Sequence, residues 1–411
     1  MSLPNRWPAV ITLLIIVLIS YVDRVNTSVL ITDRAFTDHF GLTGHPAAQG
    51  LLMTLFLLGN GCAAFALSPV YEARLGVRRG LVLSIALWAA LTVVSPFALG
   101  GVMLLALRFL LGTAEGPLFS LKTMYIGAAF APHEVGKPNA VSSMGVSLGT
   151  AVGLPLVTFL VYSQGWVSSF LLLAALNVVI GLPLVLATVR GGRRRSEAER
   201  AGSWQTMRGA LRTPGLGSVL AVEIATLAFL WGSSSWLPSY LLHGRHLTLT
   251  QTGVVSALPF LFSLVSGFAG GALIDRLPGR RVPLLLVFGG LGAAVSVLVV
   301  VLASGPVTAS VGLILANGFW GLQAPVIPTL VQHTAAPGTV GSTYGVVNGI
   351  GNVVSAFMPT LMGAAIGGGG YGMGYLLLVG TQLVTLGVGA ALLARRRRTP
   401  TRLDQVRQEA G

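Results

Sequence analysis

The stretch RGGRRRSEAERAGSWQTMRGALRTPG, residues 190–215, is the one long polar segment in this chain of 411 residues. On both sides of it, apolar runs of about 20 residues recur along nearly the whole length, and each is long enough to cross a membrane as a helix. Hydrophobic residues make up 53% of the chain and charged residues only 9%, whereas soluble domains carry about 25% charged residues. The sequence therefore predicts an all-α integral membrane protein.

The polar segment separates six predicted spans from six more. We predict twelve transmembrane helices, at residues 8–31, 50–70, 79–99, 101–130, 138–163, 167–189, 213–242, 249–274, 282–304, 306–331, 340–366 and 371–394. The predicted organisation is a first six-helix bundle over 1–189, a cytoplasmic linker over 190–212, a second six-helix bundle over 213–394 and a basic cytoplasmic tail over 395–411.

The basic residues predict the orientation of these spans. Of the 26 lysines and arginines, 21 lie outside the spans on the side that carries both termini, and only Arg34 and Arg245 lie outside them on the other side. Because basic loops stay in the cytoplasm, both termini are predicted to be cytoplasmic. The net charge of +14 is therefore a topology signal, and we expect no nucleic-acid binding.

The two predicted bundles resemble each other in sequence. EARLGVRR (72–79) follows the second span and IDRLPGRR (274–281) follows the eighth, and both are short basic turns. Glycine-spaced segments also correspond, SSMGVSLGTAVGLP (142–155) in the fifth span and YGVVNGIGNVVSAFMP (344–359) in the eleventh. Such glycines are also common as general packing positions in membrane helices. Two six-span repeats nonetheless favour a transporter whose bundles rock about a central site.

Six ionisable residues remain inside the predicted spans: Asp23, Arg24, Arg108, Glu115, Lys122 and Glu223. A charge at the centre of a spanning helix costs roughly 2.5–3.5 kcal/mol on insertion scales, so these residues are candidates for function. At about 1.5 Å of rise per residue, Asp23 and Arg108 reach similar depths in the outer half of the membrane. We therefore expect Asp23, Arg24 and Arg108 to surround one cavity.

The fourth span carries its charges on one stripe, because Arg108, Glu115 and Lys122 are spaced seven residues apart, close to two full helical turns. For Arg108 and Glu115 the alternative to a functional role is a structural ion pair. Lys122 is expected to extend its amine to the cytoplasmic surface. Glu223, alone in the seventh span, is either a substrate or proton group or a protonated carboxyl in helix packing.

Asp23 and Arg24 are adjacent and point about 100° apart on a helix, so they cannot both face one neighbour. We expect Arg24 to face the central cavity and Asp23 a helix interface. Guanidinium groups in a low-dielectric site bind carboxylates bidentately. Protonation of Asp23 and Glu115 would free the arginines for an incoming anion, so proton and anion would favour each other's binding. The charges thus predict proton-coupled symport of an organic anion.

Other kinds of chemistry find no support in the sequence. There is no Walker-type phosphate loop, and the six histidines show no metal-ligand spacing. We therefore expect no enzyme activity, no cofactor and no metal site. Two alternatives to uptake are a proton-coupled exporter of amphipathic compounds and a membrane sensor that binds the anion without transporting it.

At this point the residues resemble a known family. GALIDRLPGRR (271–281) closely resembles the signature loop of the major facilitator superfamily, and SPVYEARLGVRR (68–79) is a degenerate first copy. YVDRVNTSVL (21–30) and RFLLGTAEGPLFS (108–120) resemble the anion:cation symporter family, as do SSSWLPSYL (233–241) and the shorter NGIGN of the eleventh span. That family contains bacterial galactonate, glucarate and hexuronate transporters and the vesicular glutamate and sialic acid carriers.

The resemblance implies a role for individual residues. Asp23 and Glu115 match the proton-titrating carboxylates of the family, and Arg24 and Arg108 match arginines that engage or gate substrate. The resemblance also implies a pocket tyrosine at Tyr21, a polar pocket residue at Asn348, a monomer and, for a bacterial member, the cytoplasmic (inner) membrane.

Three positions depart from the family pattern. The aspartate expected beside Arg74 is Ala73, Val146 stands near the place of a pocket glutamine, and the second span offers Asn60 but no tyrosine. These departures favour a smaller or more apolar carboxylate over a polyhydroxy acid. Four aromatic residues are candidate pocket walls, although helix packing is the alternative for each: Phe56, Phe119, Trp231 and Trp236.

Overall fold

The computed structural model describes residues 6–67, 71, 75–130, 136–189, 215–334 and 340–398. Every regular element in this part of the chain is a helix. We call the described residues before the gap at 190–214 the first half and those after it the second half. The predicted linker (190–212) and the end of the predicted basic tail lie outside the described residues.

Nine α-helices form the first half. They are α1 (Trp7–Leu30), α2 (Arg34–His39), α3 (Pro46–Ala66), α4 (Gly76–Val94), α5 (Gly101–Glu115), α6 (Leu118–Ala129), α7 (Gly136–Gln164), α8 (Trp166–Leu176) and α9 (Leu182–Thr188). A 3-10 turn (Ser95–Phe97) extends α4, and a π-helical turn (Asn177–Gly181) joins α8 to α9.

Seven α-helices form the second half. They are α10 (Leu216–Ser239), α11 (Leu249–Arg276), α12 (Leu284–Leu302), α13 (Pro306–Gln323), α14 (Val326–Thr334), α15 (Val340–Ser355) and α16 (Met358–Arg398). A π-helical turn (Tyr240–Gly244) continues α10, and a 3-10 turn (Gly279–Arg281) precedes α12.

The described residues contain eleven apolar helical ranges long enough to cross a membrane. The last range, Thr343–Ala394, is 52 residues long, which at 1.5 Å per residue is roughly 78 Å and enough for two crossings. Its helical path is interrupted at Gly369 and Gly370, the latter with φ of +74°, a conformation that glycine adopts without strain. The predicted fold class, an all-α multi-pass membrane protein, is confirmed, and a double crossing by the last range would bring the eleven ranges to the twelve predicted crossings.

The fourth crossing of each half is broken in the middle, whereas a continuous helix was predicted from the sequence. In the first half α5 ends at Glu115 and α6 begins after Pro117, and in the second half α13 ends at Gln323 before Pro325. Proline has no backbone N–H and clashes with the preceding turn, so it interrupts a helix at this position. The break places Glu115 at a helix end inside the protein.

Close helix contacts fix α1 at the centre of the first half. Gly145, Gly149 and Gly153 of α7 are four residues apart, and a Cβ at these positions would lie 2.6, 2.5 and 2.8 Å from atoms of α1. These glycines therefore let α1 and α7 approach closely. All residues of α1 from Ile19 to Leu30 are buried, so the charges on this segment face protein rather than lipid.

The two halves meet mainly toward one end of the bundle. We call it the outer end because it carries the connections at residues 31–45 and 245–248, which the distribution of basic residues predicts to lie outside. There Thr54 of α3 and Thr360 of α16 join their hydroxyl groups at 2.8 Å, and His243 lies 3.1 Å from the Thr32 carbonyl oxygen. Nearby, a Cβ at Gly50 would lie 2.3 Å from the Pro359 carbonyl oxygen. At the opposite end, α6 and α14 pack mainly within their own halves.

Candidate functional site

Glu115 and Arg24 form a buried ion pair that joins α5 to α1. The Nε and Nη2 atoms of Arg24 both donate to Glu115 Oε1, the Nε bond at 2.8 Å, and Ser20 Oγ donates to the same oxygen at 2.5 Å. Ser20 and Arg24 are four residues apart and therefore share one face of α1. The other carboxylate oxygen, Oε2, has no hydrogen-bond partner among the described residues. One carboxylate oxygen thus accepts three bonds while the other remains available.

Four aromatic rings surround the Arg24 guanidinium, and we call them the aromatic cage. The Arg24 Cζ lies 4.6 Å from the ring centroid of Tyr21, 5.3 Å from Phe56, 5.5 Å from Trp231 and 5.8 Å from Phe119. Trp231 belongs to the second half, and its ring stacks on Tyr21 with centroids 6.3 Å apart. The site therefore lies where the halves meet, and desolvation by the cage strengthens every electrostatic contact inside it.

Asp23 faces a different neighbour from Arg24, as its position one residue earlier on α1 requires. The Trp88 indole N–H donates to Asp23 Oδ2, and Thr92 Oγ1 donates to the same atom at 3.3 Å. Arg108 interacts electrostatically with Asp23, and its Cζ lies 5.5 Å from the ring centroid of Phe170. These residues form a second polar centre inside the first half.

The second centre contains several polar atoms without partners. Asp23 Oδ1 and the Nε and Nη2 atoms of Arg108 are buried and make no hydrogen bond to any described residue. No ion pair within 4.0 Å joins Asp23 to Arg108 in the described part of the chain. The expectation of one cavity shared by Asp23, Arg24 and Arg108 therefore differs from the structure, because the 100° between adjacent residues turns Arg24 toward Glu115 and Asp23 toward α4.

The second half contributes a third polar group near its first crossing. Asn348 Nδ2 donates to Glu223 Oε1 at 2.9 Å, and Asn352 Nδ2 donates to Asn348 Oδ1 at 3.1 Å. Glu223 is buried, and a Cβ at Gly351 would lie 2.6 Å from its Cγ. Two of the predicted pocket residues, Glu223 and Asn348, are therefore direct partners.

Two further predicted residues lie outside these clusters. Trp236 is fully buried and donates its indole N–H to the Pro359 carbonyl oxygen at 2.9 Å, so it joins α10 to α16 and is not part of the aromatic cage. Asn60 lies on α3, where Gly112 and Gly116 of the first half's fourth crossing approach its backbone closely, and its Nδ2 has no partner among the described residues.

Lys122 departs most clearly from its expected position. It was expected to extend to the surface, but its side chain is only 4% exposed, and its Nζ donates to Ser143 Oγ of α7 at 3.0 Å. The Nζ also lies 5.1 Å from the ring centroid of Phe119, a member of the aromatic cage. The prediction of a surface amine is wrong because a hydroxyl group within reach on α7 and the cage ring hold the amine inside.

Four residues of these centres were not predicted from the sequence: Ser20, Trp88, Thr92 and Ser143. Ser20 could have been found from its spacing of four residues to Arg24, whereas neutral donors on other helices carry no comparable signal. The described residues contain no group of three histidine, cysteine or acidic side chains that could hold a metal ion.

Comparison with known proteins gives the family. Residues 13–359 match the model of the Major Facilitator Superfamily. The chain belongs to this superfamily. The resemblance drawn from its motifs is thereby confirmed, as is the prediction that the protein is not an enzyme, because proteins of this superfamily are transporters.

Several curated superfamily members with named anions are similar to this chain. It is 28% identical over 290 residues to a probable sulfoacetate transporter of Cupriavidus necator, a match that spans 66% of this chain and 65% of that protein. It is 24% identical to a probable galactarate/D-glucarate transporter of Bacillus subtilis, covering 92% of this chain and 90% of that protein. It is also 24% identical to a hexuronate transporter of Bacillus subtilis, covering 92% of each.

Solved structures of superfamily members share the fold. A D-xylose–proton symporter superposes with a TM-score of 0.76 at 15% identity over 94% of this chain and 96% of that chain. A bacterial homologue of the human lysosomal transporter Spinster, in an inward-facing conformation, superposes with a TM-score of 0.74 at 19% identity over 97% of this chain and 98% of that chain.

Proposed function

We propose that this protein is a secondary active transporter that takes up an organic anion, a carboxylate or a related acid, together with protons. The observation that carries the proposal is the Arg24–Glu115 ion pair, buried in the aromatic cage at the junction of the two halves. A guanidinium in such a desolvated site is a strong receptor for a carboxylate.

Glu115 gives the proposed coupling its physical basis. Within the described residues it is the one carboxylate in an ion pair with Arg24, so it competes with an incoming anion for the guanidinium. Protonation of Glu115 removes this competition, and by linkage the bound anion favours protonation to the same extent. The proton and the anion therefore bind together more readily than either binds alone.

Asp23 and Arg108 form the proposed second coupling centre. The two groups attract each other across the first half, and the Trp88 and Thr92 donors hold only one oxygen of Asp23. We propose that Asp23 exchanges a proton with this centre during the cycle and that Arg108 engages the anion on its route or gates that route. The resemblance to the anion:cation symporter family supports both assignments.

The relatives support the substrate class. Sulfoacetate, galactarate, glucarate and hexuronate, named in the curated relatives, are all organic anions. We propose that the two six-span halves alternate in exposing the site, that Glu223, Asn348, Asn60 and Trp236 shape the path on their helices, and that the protein works as a monomer in a bacterial inner membrane.

The test uses the purified protein in liposomes with a proton gradient that is acidic outside. A panel of labelled anions, with sulfoacetate, glucarate and glucuronate first, identifies the transported anion. We expect Arg24→Ala to abolish uptake, whereas Arg34→Ala at an exposed arginine should leave it unchanged. Full uptake by Arg24→Ala would contradict the proposed site.

Glu115→Gln separates coupling from binding in the same liposomes. The neutral amide mimics a protonated carboxyl, so gradient-driven accumulation should be lost while exchange of labelled for unlabelled anion continues. Accumulation that persists in Glu115→Gln would show that another group carries the proton. Efflux of amphipathic dyes that ceases with an uncoupler, without any anion uptake, would instead favour the exporter.

A further inference from the structure

Lys122 is a second buried cation beside the site, and the function proposed above does not use it. Its Nζ has three N–H donors, and the hydroxyl of Ser143 accepts one of them. No carboxylate of the described residues lies within 4.0 Å of it. A buried ammonium is costly unless it is paired with an anion, and no described residue supplies that anion to Lys122.

Lys122 and Arg24 lie close together beside one aromatic ring. The Arg24 Cζ and the Lys122 Nζ are 5.8 and 5.1 Å from the Phe119 centroid, so the two cationic groups are at most about 11 Å apart. The ring packs edge-on against Tyr21, which holds it in this position. This separation is within the length of a single small ligand.

The charges around this ring do not balance. Among the described residues, Arg24 is paired with Glu115, whereas the hydrogen-bond partner of Lys122 is the neutral hydroxyl of Ser143. When an anion displaces Glu115 from Arg24, its first acidic group neutralises the guanidinium and the ammonium still lacks an anion. A second acidic group on the same ligand would supply it.

We propose that the transported ligand is a compact dianion that bridges Arg24 and Lys122. This inference rests on the proposed function and narrows its substrate class. Each charge-assisted contact takes up about 2.8 Å. Acidic oxygens that lie between the two cations are therefore at most about 5 Å apart in the structure described. Diacids with one to three carbons between the acidic groups have this size.

The competing explanation is that Lys122 only ties the fourth crossing to α7 through Ser143. A purely structural lysine would affect all ligands equally, because it would act through the stability of the fold. A ligand-binding lysine would affect diacids and spare monoacids of the same length. The comparison of the two ligand classes therefore distinguishes the roles.

The experiment measures binding by titration calorimetry at pH 7.5 with three matched pairs: malonate and propionate, succinate and butyrate, and glutarate and valerate. The wild-type protein should bind the diacid of at least one pair at least 10-fold more tightly than the monoacid. Lys122→Met should weaken diacid binding at least 10-fold and change monoacid binding less than 3-fold. Lys122→Arg should keep the preference, because it keeps the charge.

Ser143→Ala is the control for the structural role, since it removes the hydroxyl partner but keeps the charge, and it should keep the diacid preference within 3-fold. Equal loss for both ligand classes in Lys122→Met, or no diacid preference in the wild-type protein, would overturn the proposal. Proton-driven uptake of monoacids without diacid preference would overturn it while leaving the proposed function intact. Absence of any proton-driven anion uptake would overturn the proposed function itself.

Discussion

At the scale of single residues, Asp23 and Arg24 are adjacent on α1 but belong to different polar centres. Arg24 meets Glu115 and the aromatic cage, whereas Asp23 meets the donors Trp88 and Thr92. Adjacent residues on a helix point about 100° apart, so two neighbouring charges can belong to separate centres without sharing a partner. The pair therefore connects a site at the junction of the halves to one inside the first half.

Trp88→Phe tests the Asp23 centre. The change removes the indole donor to Asp23 but keeps an aromatic ring, and a hydrogen bond to a charged group contributes about 1.5–3 kcal/mol. We expect a lower thermal unfolding midpoint in detergent and weaker proton-driven accumulation. Trp7→Phe at a surface tryptophan that is 44% exposed is the matched control and should change neither. An unchanged midpoint for Trp88→Phe would show that the bond contributes nothing to stability.

The sequence predicted these residues better than it predicted their partners. Arg24 was expected to face the centre and Asp23 a helix interface, which agrees with their contacts. What no sequence pattern supplied was the neutral donor on another helix, such as Trp88, because the rotation of α4 is set by packing. Lys122 was misplaced for the same reason, since its hydroxyl partner lies on α7.

At the scale of helices, glycine spacing sets the rotation of α1. The glycines of α7 contact the face of α1 that includes Leu14 and Leu18. Ser20 and Arg24 lie on another face and so reach α5. The spacing of these glycines was readable from the sequence, but the broken fourth crossing was not inferred, although Pro117 and Pro325 mark it.

Gly149→Ala tests this packing. The added Cβ would lie 2.5 Å from the Leu18 carbonyl oxygen, a backbone atom that cannot move aside, and such overpacking typically costs about 1–3 kcal/mol. We expect a lower unfolding midpoint and reduced uptake. Gly387→Ala on α16 is the control, because a Cβ there meets no atom within 4 Å and should be neutral or slightly stabilising. Equal midpoints for the two variants would contradict the close-packing argument.

At the scale of the whole molecule, the contacts between the halves explain why one site can serve a transport cycle. They lie mainly toward the outer end, where Thr54 meets Thr360, while Trp231 reaches across to Tyr21 at the site itself. Alternating access requires the outer contacts to separate when the site opens to that side. A covalent bond across them should therefore stop the cycle without disturbing either half.

The paired variant Thr54→Cys/Thr360→Cys, made together with Cys62→Ser, tests this requirement. The two hydroxyl oxygens are 2.8 Å apart, so cysteines at these positions are suited to an oxidative crosslink between the halves. We expect oxidation to abolish anion uptake in liposomes and reduction to restore it. The matched control is Thr12→Cys/Thr188→Cys, which joins two hydroxyls at the same 2.8 Å within the first half and should leave uptake intact when oxidised. Both crosslinks replace a threonine pair of equal spacing, so loss of uptake in the first variant alone would show that uptake requires the halves to move relative to each other. Full uptake by protein that is completely crosslinked between positions 54 and 360 would exclude this requirement.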